Sequence, residues 1–173
     1  MAFTNYKIHR GRQYFNFFIH DKDSQDVSFS AGMPRVGLMR PIIGLGRTSA
    51  LDPLVPCEDA REYLLSCCKD SWGTGSVHCT AWDCLHNALV SSDWSSDYDP
   101  FGSVCHNHWN ADTGNVGLLV DMEEGTMSVY CNGQPLQLVT RGLTGEYCLF
   151  ASMFEPDIVV SIKRAPIPAH KEK

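Results

Sequence analysis

The sequence lacks the features of several large functional classes. It has no run that approaches the ~20 apolar residues of a membrane helix, and no apolar core of a signal peptide near its N-terminus. Lys and Arg form no cluster and the net charge is −6, which argues against a surface for nucleic acid or for an anionic membrane. No asparagine begins an Asn-x-Ser/Thr glycosylation motif. We therefore expect a cytoplasmic or nuclear protein.

The common catalytic and metal-binding motifs are also missing. The sequence has no C-x-x-C pair, no Gly-x-Ser-x-Gly nucleophile elbow and no EF-hand loop. We therefore predict that the protein is not an enzyme and carries neither a cofactor nor a metal. One alternative stays open, because Cys105, His106 and His108 have side groups that bind zinc or supply a thiol nucleophile. Further residues of these types lie upstream, at His78, Cys79, Cys84 and His86.

Eight cysteines would form a disulfide framework in a secreted protein. In a reducing compartment they are expected to be free thiols that act as small apolar side chains. Cys131, beside an Asn-Gly turn, and Cys148, inside an apolar run, fit that role.

Short apolar runs separated by tight turns dominate the C-terminal third of the sequence. The runs occupy residues 115–121, 126–130, 147–153 and 158–162. Glu-Gly and Asn-Gly turns lie between them at Gly125 and Gly133, and such residues accept the positive φ of a hairpin turn. Asp121, at a strand end, is predicted to accept hydrogen bonds from turn amides. Near the N-terminus, residues 14–19 form an aromatic run with period two, which predicts another strand.

The middle of the sequence, residues 41–114, has weaker signals. Acidic residues early in 58–66 suit a helix N-terminus, but a strand over Tyr63–Cys68 is equally compatible with the pattern. Val77–Trp82 is predicted to form a strand. Ser91–Trp109 is rich in Ser, Asp and aromatic residues without either period, which predicts a long loop.

The order of these runs and turns resembles the SPRY domain, the C-terminal part of B30.2 modules. The positions that match its pattern are Gly117, Asp121, Gly125, Thr126, Tyr130, Asn132, Gly133, Leu136, Gly142, Leu143 and Gly145. The resemblance implies an all-β fold, a two-sheet antiparallel β-sandwich of the concanavalin-like jelly-roll type, and it favours the strand over Tyr63–Cys68. It also implies further strands before Tyr14, where few residues are present. We expect one SPRY-like domain over residues 1–165 and a flexible C-terminal tail over 166–173.

One face of each strand is expected to fill the core between the sheets. The predicted core residues are Phe15, Phe17, Ile19, Val36, Leu38, Val116, Leu118, Val120, Met127, Val129, Tyr147, Leu149, Ile158, Val160 and Ile162.

SPRY-like domains bind proteins through inter-strand loops, so the resemblance implies a non-catalytic module that recognises a protein or short peptide at one end of the sandwich. The matching loops are 41–57 and 91–109, flanked by 22–35 and 140–146. The predicted contact residues are Arg40, Arg47, Trp94, Tyr98, Phe101, His106, His108 and Trp109. An alternative for the aromatic side chains is that two or three fold inward and close the end of the sandwich.

Such a module serves in larger complexes, for example as the recognition arm of a ubiquitin ligase or as part of a scaffold. A lectin-like sandwich that binds carbohydrate is the main rival, because it shares the architecture and an Asp/aromatic loop.

Overall fold

The computed structural model describes residues 1–21, 34–42, 52–54, 56–95, 103–104, 115–153 and 157–169. Within these ranges the protein forms eleven strands, one α-helix and one 3₁₀ helix. The elements are β1 (Ala2–Ile8), β2 (Arg12–Asp21), β3 (Arg35–Met39), α1 (Glu58–Ser66), the 3₁₀ helix (Asp70–Trp72), β4 (Cys79–Asp83), β5 (Ala88–Ser92), β6 (Ser103–Val104), β7 (Asn115–Asp121), β8 (Thr126–Cys131), β9 (Gln134–Arg141), β10 (Tyr147–Ser152) and β11 (Ile158–Ala165).

The strands form two antiparallel sheets. One has six strands in the order β1-β10-β3-β4-β5-β6, and the other has five in the order β11-β2-β7-β8-β9. The predicted all-β sandwich is therefore confirmed. None of the helices formed by the described residues has the length and apolar character of a membrane span.

The core between the two sheets is the one that the period-two pattern predicts. All fifteen predicted core residues belong to it, with Val160 and Ile162 partly buried against the rest. Trp82 and Leu89 complete this core from β4 and β5. The agreement has a simple cause: alternate residues of a strand point to one face, so the apolar half of each strand lies on the inner side.

A second apolar layer covers the outer face of the six-stranded sheet. Leu64 of α1, Trp72 of the 3₁₀ helix and Leu54 are buried against the sheet residues Met39 and Phe150. A sheet in this position is buried on both faces, and β4 is accordingly buried at every residue.

The helix α1 shows that the predicted strand over Tyr63–Cys68 is wrong. The segment is helical from Glu58 to Ser66, with Glu58 and Asp59 in the first turn, where carboxylates complement the helix dipole. Leu64 alone is buried in the helix, so one residue docks the helix on the sheet. A helix that packs on a sheet does not have to show the alternating burial of a strand.

Three strands, β1, β5 and β6, were not predicted. β1 pairs with β10 through a bulge between Phe3 and Lys7, so its burial shows no clear alternation. The end of β5 and the whole of β6 lie inside the predicted loop Ser91–Trp109, so the loop prediction is wrong for residues 91–92 and 103–104. Val27 and Phe29 alternate with Ser28 and Ser30, which predicts a further short strand, but these residues lie outside the described residues.

The hairpin turns follow the sequence closely. Oδ1 of Asp121 accepts the N–H groups of Glu123 and Glu124 at 3.0 and 3.1 Å, as predicted for the β7–β8 turn. Asn132 and Gly133 have φ values of 51° and 75°, the left-handed conformation that a two-residue hairpin turn requires. Strand β11 ends at Ala165, where the predicted tail begins, and residues 170–173 of that tail lie outside the described residues.

The reactivity of the cysteine thiols provides a test of which residues are buried in the core. No disulfide joins the seven described cysteines; Cys57 and Cys68 are exposed, whereas Cys79, Cys84 and Cys148 are buried. Burial raises the pKa of Cys148 to about 12, so this thiol is protonated and unreactive at neutral pH. We expect Cys57 and Cys68 to react with a maleimide within minutes and the three buried thiols to react only on unfolding, as measured by peptide mass spectrometry. Comparable labelling of Cys148 and Cys57 would contradict this packing.

Candidate functional site

The pairing register of the strands shows at which of the two ends of the sandwich each connection begins. Arg40 follows β3 at one end, beside Cys79, the first residue of β4, which pairs with Ser92, the last residue of β5. The β9–β10 connection, residues 142–146, is bonded to Arg40 at the same end. Asp83 ends β4 at the other end, opposite Arg35. We call these the Arg40 end and the Asp83 end.

Five of the eight predicted contact residues belong to connections that begin at the Arg40 end. Arg40 and Trp94 are described; Arg47, Tyr98 and Phe101 lie outside the described residues, in stretches that follow Ile42 and Ser95. The structure therefore brings together the starting points of the two loops that the sequence predicts as the binding surface.

The other three predicted contact residues belong to a connection at the opposite end. They are His106, His108 and Trp109, and they lie outside the described residues. The connection joins Val104, which pairs with Ala88 beside Asp83, to Asn115. Strand β7 runs from Asn115 towards the strand end that adjoins Arg141, so Asn115 also lies at the Asp83 end. The eight predicted residues therefore belong to connections whose described flanking residues lie at different ends.

Arg40 is fully buried and bonds the backbone of two connections. Its Nη1 donates to the carbonyls of Thr144 and, at 3.2 Å, Glu146. Its Nη2 donates to the carbonyl of Gly75 at 3.4 Å. The Gly75 N–H in turn donates to Oγ1 of Thr144 at 2.8 Å. One side chain therefore holds the segment after the 3₁₀ helix against the β9–β10 connection.

Aromatic rings surround the Arg40 guanidinium. Its Cζ lies 4.2 Å from the ring centre of Tyr147 and 5.9 Å from that of Trp72, both within cation–π range. The Tyr147 hydroxyl donates to the carbonyl of Val77 at 2.6 Å. Burial lowers the pKa of Arg40, because transfer out of water disfavours the charged form.

His78 and Trp94 extend this group of side chains. Their ring centres are 4.8 Å apart, and Trp72 lies 6.3 Å from His78 and 6.1 Å from Trp94. The indole N–H of Trp94 donates to the carbonyl of Pro53 at 2.9 Å. Burial, together with the Arg40 charge, lowers the pKa of His78. We call Arg40, Trp72, His78, Trp94 and Tyr147 the Arg40 cluster.

The burial of Arg40 and Trp94 corrects one expectation. Both side chains have no exposed surface, so neither touches a partner's surface in this conformation. The contact prediction fails for these two residues because the end of a strand and the start of a loop look alike in sequence. The second apolar layer, in which Trp94 is buried, was not predicted either. Trp94 instead packs in the second apolar layer, on the outer face of the six-stranded sheet. The other loop aromatics, Tyr98, Phe101 and Trp109, lie outside the described residues, so the alternative that two or three of them close the end of the sandwich stays a prediction.

Trp72, His78 and Tyr147 were not predicted to belong to one cluster. Trp72 and His78 lie far from Tyr147 in the sequence, and none of the three belongs to a motif. The signal present was the glycine-rich stretch Gly73–Ser76, since Gly73 and Gly145 both adopt positive φ where the backbone turns tightly beside Arg40. A Cβ on Gly145 would come within 2.2 Å of the Trp72 carbonyl oxygen.

The Asp83 end carries a polar network of a different kind. Arg35 donates through Nε to Oδ2 of Asp83 at 2.8 Å and also contacts Asp52. His86 Nδ1 lies 3.0 Å from the same Asp83 oxygen, and Oδ1 of Asp83 accepts the N–H groups of Leu85 and His86 at 3.0 Å. This network fixes the β4–β5 turn and ties it to β3.

The Asp83 network predicts a pH dependence. Burial raises the pKa of Asp83, but its hydrogen bonds from His86 and Arg35 outweigh burial, so the pKa lies below its ordinary value. A carboxylate of this kind adds stability above its unfolded-state pKa, and the contribution is lost as the pH falls through the folded-state pKa. We expect Asp83→Asn to lower the free energy of unfolding by about 2 kcal/mol near neutral pH, and less in acid.

Urea unfolding of both proteins across the acidic range measures this difference. Asp157→Asn, at an exposed turn, is the matched control and is expected to leave the pH profile unchanged. A difference between wild type and Asp83→Asn that stays constant down to the acid limit would contradict the role of the ionised carboxylate.

The described residues give no support to a metal site. Among them, no group of three or more His, Cys, Asp or Glu side chains is placed to hold an ion. Cys105, His106 and His108, the centre of the zinc alternative, lie outside the described residues, so that alternative remains open.

Comparison with known proteins bears on the fold. No protein-family model and no curated protein matches the sequence. Among solved structures, the TRIM65 PSpry domain matches with a TM-score of 0.51 over 93% of this chain and 67% of that chain, at 13% identity. The protein has a SPRY-like fold. The resemblance in the turn pattern is thus confirmed, and at this identity the similarity concerns the fold alone.

Proposed function

We propose that the protein is a non-catalytic interaction module that recognises a protein or short peptide through the loops of the Arg40 end. The observation that carries this proposal is the bonding of Arg40 to two connections, residues 73–76 and 142–146, beside the start of the loop after Trp94. A buried side chain that fixes several loops preorganises a surface and reduces the entropy lost on binding.

The surface around this buried cluster is accessible. Thr74, Ser76, Asp93 and Ser95 are exposed in the segments that adjoin it. The SPRY-like fold supports the same assignment, because the fold presents loops on a rigid sandwich. Arg47, Tyr98 and Phe101 belong to the proposed surface by their place in the sequence, whereas His106, His108 and Trp109 join strands at the Asp83 end.

A matched pair of double variants tests which end binds. Thr74→Arg with Ser95→Arg adds two charges at the Arg40 end, and Leu85→Arg with Gln134→Arg adds two at the Asp83 end. All four side chains are exposed, so both variants are expected to fold, which circular dichroism checks. Each protein serves as bait in a quantitative pull-down from native extract.

We expect the wild type and the Asp83-end variant to retain the same proteins, and the Arg40-end variant to lose them. Equal retention by both variants, or a loss confined to the Asp83-end variant, would contradict the proposal. Failure of every bait to enrich any protein would contradict a protein-binding role, and a glycan array would then test the lectin-like alternative.

A further inference from the structure

The Arg40 cluster contains a buried cation without a matching anion. Arg40 has no exposed surface, and among the described residues no carboxylate lies within ion-pair distance of its guanidinium. Its acceptors are neutral backbone carbonyls. Burying a charge is unfavourable unless the charge is paired, so an anion bound beside Arg40 would be stabilised by the uncompensated positive charge.

Three polar atoms of the same cluster also lack hydrogen-bond partners in the described structure. They are Arg40 Nε, Trp72 Nε1 and His78 Nδ1. Buried orphan groups are uncommon in native proteins, and several on touching side chains indicate a missing acceptor. The contrast with Trp94 is direct, because its indole N–H is bonded to Pro53.

Trp82 shows that an orphan indole is not sufficient by itself. Its Nε1 also lacks a partner among the described residues, but Trp82 lies in the apolar core between the sheets, with neighbours such as Leu89 and no cation in that cluster. Trp72, by contrast, lies beside Arg40. Arg61 Nε on α1 is another orphan donor, but the Arg61 side chain is only partly buried. Among the described residues, the Arg40 cluster is where a fully buried guanidinium occurs together with orphan atoms on neighbouring side chains.

We propose that the Arg40 cluster is a subsite for a carboxylate that the protein partner supplies, an inference that rests on the proposed function. A carboxylate is an acceptor-only group with two oxygens, so it satisfies Arg40 Nε and Trp72 Nε1 and compensates the buried charge. His78 supplies a third donor when Nδ1 carries its proton. The partner would therefore present an Asp or Glu side group, or its C-terminal carboxylate, to this end of the sandwich.

The subsite is closed in this structure, since the orphan atoms have no access to solvent. Entry requires the segments that Arg40 joins to separate, which breaks the bond between Gly75 N–H and Thr144 Oγ1 and at least one of the Arg40 bonds to these segments. Thr144 also donates to the Trp72 carbonyl at 3.5 Å, a long bond. A bond between the guanidinium and a carboxylate, in which both partners are charged, is stronger than the bonds to neutral carbonyls that it replaces.

The indole N–H signals of the whole protein provide the test. The ¹⁵N-labelled protein is titrated with sodium acetate, with sodium chloride at equal concentration as the first control and inorganic phosphate as the second. Trp72→Phe, Trp82→Phe and Trp94→Phe assign the signals. We expect the Trp72 signal to move downfield and saturate with acetate, while the Trp94 and Trp82 signals stay in place.

The outcomes separate the subsite from alternatives. No saturating shift at Trp72, or equal shifts at Trp72 and Trp82, would overturn the proposal, as would equal shifts with chloride. A response to phosphate alone would overturn the assignment to a carboxylate. In Arg40→Gln the acetate shift is expected to be lost; if that variant does not fold, the wild-type titration with its internal controls decides.

This test is independent of the pull-down. If acetate produces no shift while the Arg40-end variant still loses a partner, the carboxylate subsite fails and the proposed function stands. If acetate binds but no protein is retained, the site exists and its assignment to a protein partner is overturned.

Discussion

Replacing Arg40 with methionine is expected to lower the free energy of unfolding by about 3 kcal/mol, one for each backbone acceptor that loses its donor. Methionine keeps most of the aliphatic stem and removes the guanidinium, together with its cation–π contacts with Tyr147 and Trp72. The carbonyls of Gly75, Thr144 and Glu146 lose the guanidinium donor. Loss of the cation–π contacts adds to this cost, and relief of the burial penalty of the cation offsets that addition.

Urea unfolding gives the size of the effect, and hydrogen exchange shows where it acts. Arg141→Met is the control, because Arg141 is exposed and adjoins the same connection; its effect is expected within about 0.5 kcal/mol. Amides in residues 73–77 and 142–146 should exchange faster in Arg40→Met, with little change at the Asp83 end. Equal stability of the two variants would show that Arg40 does not hold these connections.

Gly37→Ala is expected to cost more than about 3 kcal/mol, the upper part of the range for overpacking, and to prevent folding in a marginal protein. A Cβ at Gly37 would lie 2.0 Å from the Thr80 carbonyl oxygen and 2.6 Å from the Ala81 Cα. Both are backbone atoms of the neighbouring strand, so no side-chain rotation relieves the clash. Strands β3 and β4 would have to move apart in the middle of the six-stranded sheet.

Gly11→Ala separates this clash from backbone strain. Gly11 has φ of 71°, but nothing lies within 4 Å of a Cβ built there. Alanine at Gly11 should therefore cost only the left-handed conformation, about 1–2 kcal/mol. Circular dichroism and urea unfolding of the two variants test the difference. A loss at Gly37 no larger than at Gly11 would contradict the close approach of the strands.

The inner core and the tight turns were predictable because each depends on a local rule. A strand places alternate residues on one face, which identified Phe15 and Phe17 as core residues, and Asn132-Gly133 marks a left-handed turn wherever it connects two strands. Neither rule requires knowledge of distant residues. The SPRY-like resemblance rested on these same turn positions, and the fold bears it out.

The candidate site, by contrast, could be predicted only in part. The loops around Arg40 and Trp94 were identified, but both side chains proved to be interior, and the cluster partners Trp72 and Tyr147 were not foreseen. The family resemblance even misled at Tyr63–Cys68, because the element that covers the outer sheet face is a helix. A sequence pattern reports which residues are apolar, not which of two sheet faces they cover.

The strand faces and the hairpin turns could be predicted from period-two burial and from residues that accept positive φ, and the resemblance to the SPRY domain added the two-sheet architecture. The burial of Arg40 among Trp72, His78 and Tyr147, without a carboxylate partner among the described residues, became visible in the folded protein. The physical reason is that a cluster of this kind forms between segments far apart in the sequence. Its members share no period, and only the register of the sheets brings them to one end of the sandwich.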